Sequence, residues 1–441
     1  MSSIVDSIKQ AGVVGAGGAG FPTHVKAAAK AQVIIANGAE CEPLLHKDKV
    51  IMRQYAEEVL DGIEIMMKAT GAPEGVMALK EKYTDLVELY TSLIKKRKGI
   101  RFLGLGNYYP SGDEYSLVYE ATGKLIPPAG IPIQIGAVVD NVETLLNVAL
   151  ADKAPVTDTF FTVTGAVKNP CTLKVPVGTS FSDAIAMAGG PMVSSYAVLD
   201  GGAMMGKVVT DLTTPVTKTT GGLIVLPTEH SLIKKKSASR EVYSRIGRSA
   251  CDQCSFCTEL CPRYLLGYKI EPHKVMRSLG FGDKQKGILS EWALLCCECS
   301  LCSLYACPEG LDPRNICVSA KGDLREVKVT WKNAELNTGV EPKVHPMGEY
   351  RKVPLDRLTK RLGLADYDVD APFLETAAPK TVTIPLKQHV GTPAEATVKP
   401  GQKVSKGDMI GKVIADNLGA PVHASISGTV ASVDKSICIK G

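Results

Sequence analysis

Of the 13 cysteines in the chain, eight stand in two runs of regular spacing. The first reads Cys251-x2-Cys254-x2-Cys257-x3-Cys261-Pro262, and the second Cys296-x2-Cys299-x2-Cys302-x4-Cys307-Pro308. Thiolates are soft, anionic ligands. Three of them, each two residues from the next, let a curled loop wrap one corner of an iron–sulfur cubane, and the fourth ligand arrives from elsewhere. A zinc ribbon needs two C-x2-C pairs rather than two runs of four, each followed by proline. A disulfide framework belongs to small secreted chains. The expectation is two 4Fe–4S clusters, and therefore electrons moved one at a time.

The first run has the spacing of the bacterial ferredoxin ligand run, and the second carries one extra residue before its last cysteine. In two-cluster ferredoxins each run's last cysteine serves the other cluster. That rule predicts Cys251, Cys254, Cys257 and Cys307 on one cluster, and Cys296, Cys299, Cys302 and Cys261 on the second. Cys41, Cys171, Cys297, Cys317 and Cys438 are left over, and Cys297 has the wrong spacing to Cys299. His46 and His273 read as satisfied polar residues rather than ligands.

The remaining elements must hold these runs and bring electrons to them. A length of 441 residues suggests about three domains. The hydrophobic content of 45% is that of an ordinary globular protein, and 42 glycines with 26 prolines imply many turns. A net charge of +5 is too small to argue for nucleic acid. No apolar run is long enough to span a membrane, and the first ten residues lack the apolar core of a signal peptide. Reduced thiols and air-sensitive clusters point to the cytosol.

In the first 150 residues, strand and helix signals alternate. Strands are expected at Val33–Ala36, Gly75–Lys80 and Ile100–Leu103. Helices are expected from Lys49 to Thr70, closed by Gly71, and from Tyr83 to Lys98, with its basic last turn on the negative end of the helix dipole. Such alternation implies a mostly parallel sheet, which binds ligands at the carboxyl ends of its strands. Four segments fall at such ends: Gly15-Ala16-Gly17-Gly18-Ala19-Gly20-Phe21-Pro22-Thr23-x2-Lys26, Asn37-Gly38-Ala39-Glu40-Cys41-Glu42-Pro43, Tyr109-Pro110-Ser111-Gly112-Asp113-Glu114 and Asn141-Val142-Glu143-Thr144. The glycines allow a phosphate or a flat ring to approach the backbone closely.

Together these segments resemble the flavin-binding domain of the NADH-oxidising subunit of respiratory complex I, and still more the C subunit of the Rnf electron-transport complex. The resemblance implies FMN contacts at Gly15, Gly17, Lys26, Asn37, Glu40, Gly112, Asn141 and Thr144. It implies NADH contacts at Phe21, Glu42 and Glu114, the two glutamates serving the reaction. The sequence departs from complex I at Ala16, where arginine stands in that family, and at Ala39, where an acid stands. The physics agrees with the borrowed roles, because a flavin accepts a hydride and releases single electrons.

From Thr159 onward short strands take over: Phe160–Gly165, a turn at Lys168-Asn169-Pro170, and Thr172–Val175. A capping box of Ser180 with Asp183 then opens a helix to Ala188. This unit resembles the soluble-ligand-binding β-grasp (SLBB) domain. Residues 230–240 read as a linker, with helices flanking the cysteine runs from Tyr264 to Leu279 and from Asp323 onward. Residues 331–380 read as a second, irregular linker. The last stretch resembles a lipoyl-type barrel-sandwich hybrid, with Ser425-Ile426-Ser427 where a carrier lysine would stand, so it is read as a docking module rather than a swinging arm. The expected fold is multidomain α/β and α+β. It comprises a Rossmann-like FMN domain (1–152), an SLBB domain (153–232), a helical ferredoxin-like two-cluster domain (240–330), a linker (331–380) and the barrel (381–441).

In the Rnf family this barrel lies at the N-terminus, ahead of the flavin domain. A C-terminal barrel resembles the cobalamin reductase family of the propanediol-utilisation microcompartment. The resemblance implies electron flow from NADH to FMN, to two 4Fe–4S clusters, and to cob(III)alamin and cob(II)alamin, giving cob(I)alamin. An adenosyltransferase and microcompartment shell proteins would be partners, in the microcompartment lumen of the cytoplasm, and the chain admits an oligomer. The alternatives are an Rnf-type electron-input protein serving ferredoxin or quinone, and a non-enzymatic electron-wiring or scaffold protein.

Overall fold

The computed structural model describes residues 3–414 and 417–441, and of residues 283 and 284 the backbone only. Four parallel strands form the first sheet: β1 (Val33–Gly38), β2 (Glu74–Lys80), β3 (Ile100–Leu105) and β4 (Ala137–Asn141), in the order β3-β2-β1-β4. The strand order reverses at β1, so a crevice opens past the carboxyl ends of β1 and β4. Residues of β1 alternate between two cores. Ile34 and Ala36 face the side holding helices α2 (Ala56–Thr70) and α5 (Val142–Leu150), while Val33 and Ile35 face α4 (Glu114–Thr122). Val59, Leu60, Ile63 and Met66 of α2 are fully buried, each worth about 1.5–3 kcal/mol of apolar transfer. Helix α2 lies so close to α5 that a Cβ at Gly62 would sit 2.2 Å from the Leu145 carbonyl.

Two helix expectations change here. The stretch from Lys49 to Thr70 is two helices, α1 (Lys47–Gln54) and α2, broken at Tyr55 with φ −130° and ψ 37°. Tyr55 leaves the helical path to pack edge-on against Phe160, 5.6 Å away in the next domain. The second helix, α3 (Thr84–Ile94), stops before the basic run. Arg97 instead turns back to Glu57, Asp61 and Glu64 of α2.

The second domain is a sheet of β5 (Asp158–Gly165), β6 (Cys171–Pro176), β7 (Tyr196–Asp200), β8 (Lys207–Val209) and β9 (Gly222–Pro227), in the order β6-β5-β9-β7-β8. It packs on α6 (Phe181–Met187) through Phe161, Phe181, Ile185 and Leu223. Ser180 caps α6 by accepting from the Asp183 N–H, as expected.

The two stretches read as linkers are structured. Ser231–Lys236 is helix α7, and its lysines reach out: Lys236 Nζ donates to the carbonyls of Met204 and Gly206 at 2.9 and 2.8 Å. Residues 331–380 run back over the whole molecule. Val353–Pro354 pairs with Tyr108–Tyr109, a helix spans Leu355–Arg361, and Phe373–Leu374 adds a parallel edge to β6. Long-range pairing of this kind leaves no periodic signal in the sequence.

The cysteine runs sit among short helices. The flanking helix expected from Asp323 begins ten residues earlier, as α8 (Pro313–Glu326), because Asp312 caps it by accepting from Asn315 N–H and proline occupies its first turn. The C-terminal unit is two small sheets around Val382, Ile384, Ile410, Val430, Ile437 and Ile439. Its tip is docked: Ser425 is fully buried, and its Oγ donates to the Val177 carbonyl of the second domain at 2.5 Å. Among the described residues, no helix is long and apolar enough to cross a membrane.

Candidate functional site

A cleft of about 250 Å³ opens at the carboxyl edge of the first sheet. Its floor is the backbone of Ala16, Gly17 and Gly18. Its walls are Asn37, Glu40, Cys41 and Glu42 after β1, Lys47 and Asp48 of α1, the Tyr109–Asp113 turn, and Asn141 at the end of β4. Gly201, Met205, Thr219 and Gly221 of the second domain, with Cys297 and Cys299 of the second cysteine run, complete the lining.

The glycine loop is held from behind. Thr144 Oγ1 accepts from the Ala16 N–H at 2.9 Å, and Lys47 Nζ donates to the Ala16 carbonyl at 2.9 Å and to Glu143 Oε2 at 2.7 Å. Glu143 Oε1 in turn accepts from Thr159 Oγ1 and Phe160 N, so this buried pair ties the loop to the second domain. Burial pulls the Lys47 ammonium down, but Glu143 and Asp48 more than restore it. Gly18 has φ +103°, a conformation open to glycine. Asn141 caps α5 by accepting from Glu143 N, and its Nδ2 donates to Asp48 Oδ2 at 2.9 Å.

Gly17, Asn37, Glu40, Glu42, Gly112 and Asn141, all singled out in the sequence, line the cleft; Gly15, Phe21, Lys26, Glu114 and Thr144 do not. Gly15 N donates to the Phe21 carbonyl, closing the loop. Lys26 Nζ is turned away onto the Val139 carbonyl and Asp140 Oδ1, and Glu114 lies in its field. Glu40 accepts from the first amides of α1, Asp48 N and Lys49 N, at 2.7 and 3.3 Å, supplying the cap that His46 does not. Glu42 reaches the second domain, where its carboxylate accepts from Met204 N at 2.7 Å and Met205 N at 2.9 Å. Burial raises its pKa despite these amides. Gly202, at φ +121°, lies so close that a Cβ there would meet the Glu42 carboxyl at 2.6 Å. Lys47 and Asp48 went unmarked in the sequence, and Cys297 was set aside there as left over. The signal was two charged residues beginning a helix, five positions after Glu42.

The two cysteine runs share one backbone. Gln253 and Ser255 around Cys254 have φ +62° and +65°, and Glu298 and Ser300 around Cys299 have φ +61° and +66°. Such alternation turns successive N–H groups toward one anionic centre. It also fixes the register of the second run, with Cys296 matching Cys251. Cys261 and Cys307 end their runs with nearly equal dihedrals. The extra residue before Cys307 is absorbed by a π-helical turn over Cys302–Ala306, where the first run has an α-helical turn at Phe256–Glu259.

Cys251, Cys254, Cys257 and Cys307 line a single hollow. Cys299 and Cys302 lie in the electrostatic field of Cys261, and Cys261 lies in that of Cys297 and Cys296. Cys251, Cys254, Cys257 and Cys307 around one hollow fit a cubane cluster, and Cys261, Cys296, Cys299 and Cys302, linked through their mutual fields, fit a second. The side-chain-free floor at Gly17–Gly18 and the orphaned, buried Asp48 Oδ1 fit a flavin with polar oxygens.

The flavin unit and the cluster unit are bolted together. Tyr109 Oη donates to the Cys299 carbonyl at 2.8 Å. Arg263, two residues after Cys261, donates to Asp113 Oδ1 at 2.8 Å and stacks 3.4 Å above the Tyr115 ring.

Comparison with known proteins follows the same divisions. The Nuo51 FMN-binding domain family matches residues 8–150, the SLBB domain 160–208, the 4Fe-4S dicluster domain 250–312 and the RnfC barrel sandwich hybrid domain 367–441. The chain is 42% identical to cobalamin reductase PduS of Salmonella typhimurium, over 98% of this chain and 95% of that protein. The chain belongs to the PduS cobalamin reductase family. It is an oxidoreductase with an FMN domain and a two-cluster 4Fe–4S domain. Identity to the C component of the Na(+)-translocating ferredoxin:NAD(+) oxidoreductase complex of Acetobacterium woodii is 35%, over 59% of this chain and 58% of that one. The PduS family therefore accounts for the whole domain order, whereas the Rnf relative accounts for part of it. In fold, the chain resembles an NAD+-reducing NiFe-hydrogenase in its air-oxidised state, with TM-score 0.50 and 22% identity over 83% of this chain and 67% of that one.

Proposed function

We propose that this chain reduces cobalamin with electrons from NADH, taking cob(III)alamin to cob(II)alamin and then to cob(I)alamin. The observation that carries the reading is the shared cleft. Gly17, Gly18 and Asn141 line the same cavity as Cys297 and Cys299, so a two-electron site and a one-electron site open into it. When bound, FMN splits a hydride into single electrons and the clusters relay them.

The chain's own residues position and seal that cavity. Lys47, Glu143 and Thr144 fix the glycine loop, and Glu40 fixes the start of α1. Glu42 is a positioning residue, latching the Gly202–Met205 loop of the second domain over the cleft. Tyr109, Asp113 and Arg263 hold the Cys261/Cys296/Cys299/Cys302 site against the flavin end. A cluster held there would be the first to receive electrons, and one held by Cys251, Cys254, Cys257 and Cys307 the second. Cys254, the exposed member of the second set, marks the exit toward the corrinoid. Cob(I)alamin is a reactive product, which supports direct transfer to an adenosyltransferase in a microcompartment lumen.

The test is anaerobic. Purified protein containing FMN and two clusters, mixed with NADH and hydroxocobalamin, yields cob(II)alamin and, with an adenosyltransferase and ATP, adenosylcobalamin. Flavin bleaching by NADH with no change in the corrinoid spectrum, even with the adenosyltransferase present, overturns the reading.

A further inference from the structure

Among the described residues, Asp48 is the one acid of the cleft with an idle oxygen. It is 7% exposed. Its Oδ2 is occupied by Asn141 Nδ2, while Oδ1 is buried and has no hydrogen-bond partner among the described residues. A buried carboxylate oxygen left alone is destabilising, so its persistence at the wall of a cleft calls for a partner that arrives later. Glu40, by contrast, spends its carboxylate on the amides of Asp48 and Lys49.

We propose that Asp48, in its protonated form, is a flavin-contacting residue, with Oδ1–H donating a hydrogen bond to an oxygen of bound FMN. This rests on the reading of the cleft as the flavin site, and not on the corrinoid as acceptor.

The surroundings favour a neutral carboxyl. The groups facing Asp48 are Lys47 on its own helix, Glu40 from the loop after β1, Glu143 from α5 and the amide of Asn141. The nearest cation, Lys47, is already paired with Glu143 and the Ala16 carbonyl. Burial raises the Asp48 pKa to about 7, against the lowering pull of Lys47, and Glu40 and Glu143 add to the rise. A flavin oxygen carrying negative charge raises it further. Below its raised pKa the free protein already holds the proton. Above it, binding must take the proton from water, so affinity falls as pH rises. The oxygen belongs either to the phosphate or to the ribityl chain and ring, and comparing FMN with riboflavin separates the two.

The experiment uses the full chain with its clusters intact and its flavin removed, titrated with FMN between pH 6 and 9 by quenching of flavin fluorescence. In the wild type, affinity falls by up to about tenfold per pH unit above 7, the slope of one linked proton. In Asp48→Asn, which keeps size and polarity, the slope is flat over that range. A slope kept with riboflavin assigns the contact to the ribityl chain or ring, and a slope lost with riboflavin assigns it to the phosphate. Calorimetry of wild-type FMN binding at pH 8, in two buffers of different ionisation enthalpy, counts the proton directly and needs no variant. Parallel pH slopes in wild type and Asp48→Asn, or no proton uptake at pH 8, overturn the proposal. If apo-protein fails to bind FMN at any pH, the flavin-site reading itself has failed.

Discussion

Replacing Glu143 with glutamine probes the joint on which the flavin cleft depends. The Lys47–Glu143 pair has side-chain exposures of 6% and 2% and a separation of 2.7 Å. Removing one partner of a buried pair costs about 3–5 kcal/mol, because the other charge is stranded. Glutamine keeps an oxygen for Thr159 Oγ1 and Phe160 N, so the loss isolates the charge term. The double variant Lys47→Met/Glu143→Gln strands no charge. Its main loss is the hydrogen bond to the Ala16 carbonyl, about 1 kcal/mol. The double variant therefore ends up more stable than either single one. Hydrogen exchange read by mass spectrometry suits this local question. At 1.36 kcal/mol per tenfold, the protected amides of β1 and α5 exchange about two orders of magnitude faster or more in Glu143→Gln, and roughly fivefold faster in the double variant. Flavin retention follows the same order. If the double variant costs the sum of the two singles, the pair does not act as a unit and the reasoning fails.

Two further predictions concern the cluster unit. Cys307→Ser and Cys254→Ser remove the same cluster, seen as one lost paramagnetic signal and about half the iron, while Cys261→Ser and Cys299→Ser remove the other; loss of one signal by both Cys307→Ser and Cys302→Ser refutes the crossed pairing. Arg263→Gln strands Asp113, a contact with both side chains 10% exposed, at a cost of about 2–5 kcal/mol in holding the two units together. NADH still bleaches the flavin in that variant, but the clusters reduce more slowly in stopped flow, and unchanged cluster reduction argues against Arg263 as the joint.

What could be read in advance divides by the range of the interaction. The cysteine runs were legible because ligation by a curled loop is local, and their backbones repeat the same positive φ angles at Gln253, Ser255, Glu298 and Ser300. The glycine loop and the strands of the first sheet were legible through spacing and apolar runs. Partners far along the chain were not. Glu42 meets Met204, Lys26 meets Asp140 and Lys47 meets Glu143 across long loops, so nothing near each residue shows which charge is spent on structure. Tyr55 breaks a helix that periodicity favours because Phe160, from another domain, offers its ring a surface. The extra residue before Cys307 could be counted but not placed, since a π turn and a loop bulge look alike in one dimension.

The most direct test of the electron route is the order in which the centres respond. Wild-type protein and Cys254→Ser are mixed anaerobically with NADH and hydroxocobalamin in a stopped-flow diode array. In wild type, flavin bleaching is expected first, a fall in cluster absorbance next, and cob(II)alamin last. In Cys254→Ser the first step and reduction of the remaining cluster persist, while cobalamin reduction is lost or slowed by orders of magnitude. Cobalamin reduced at the wild-type rate by Cys254→Ser would show that electrons leave before the Cys251–Cys307 hollow, and would contradict this route.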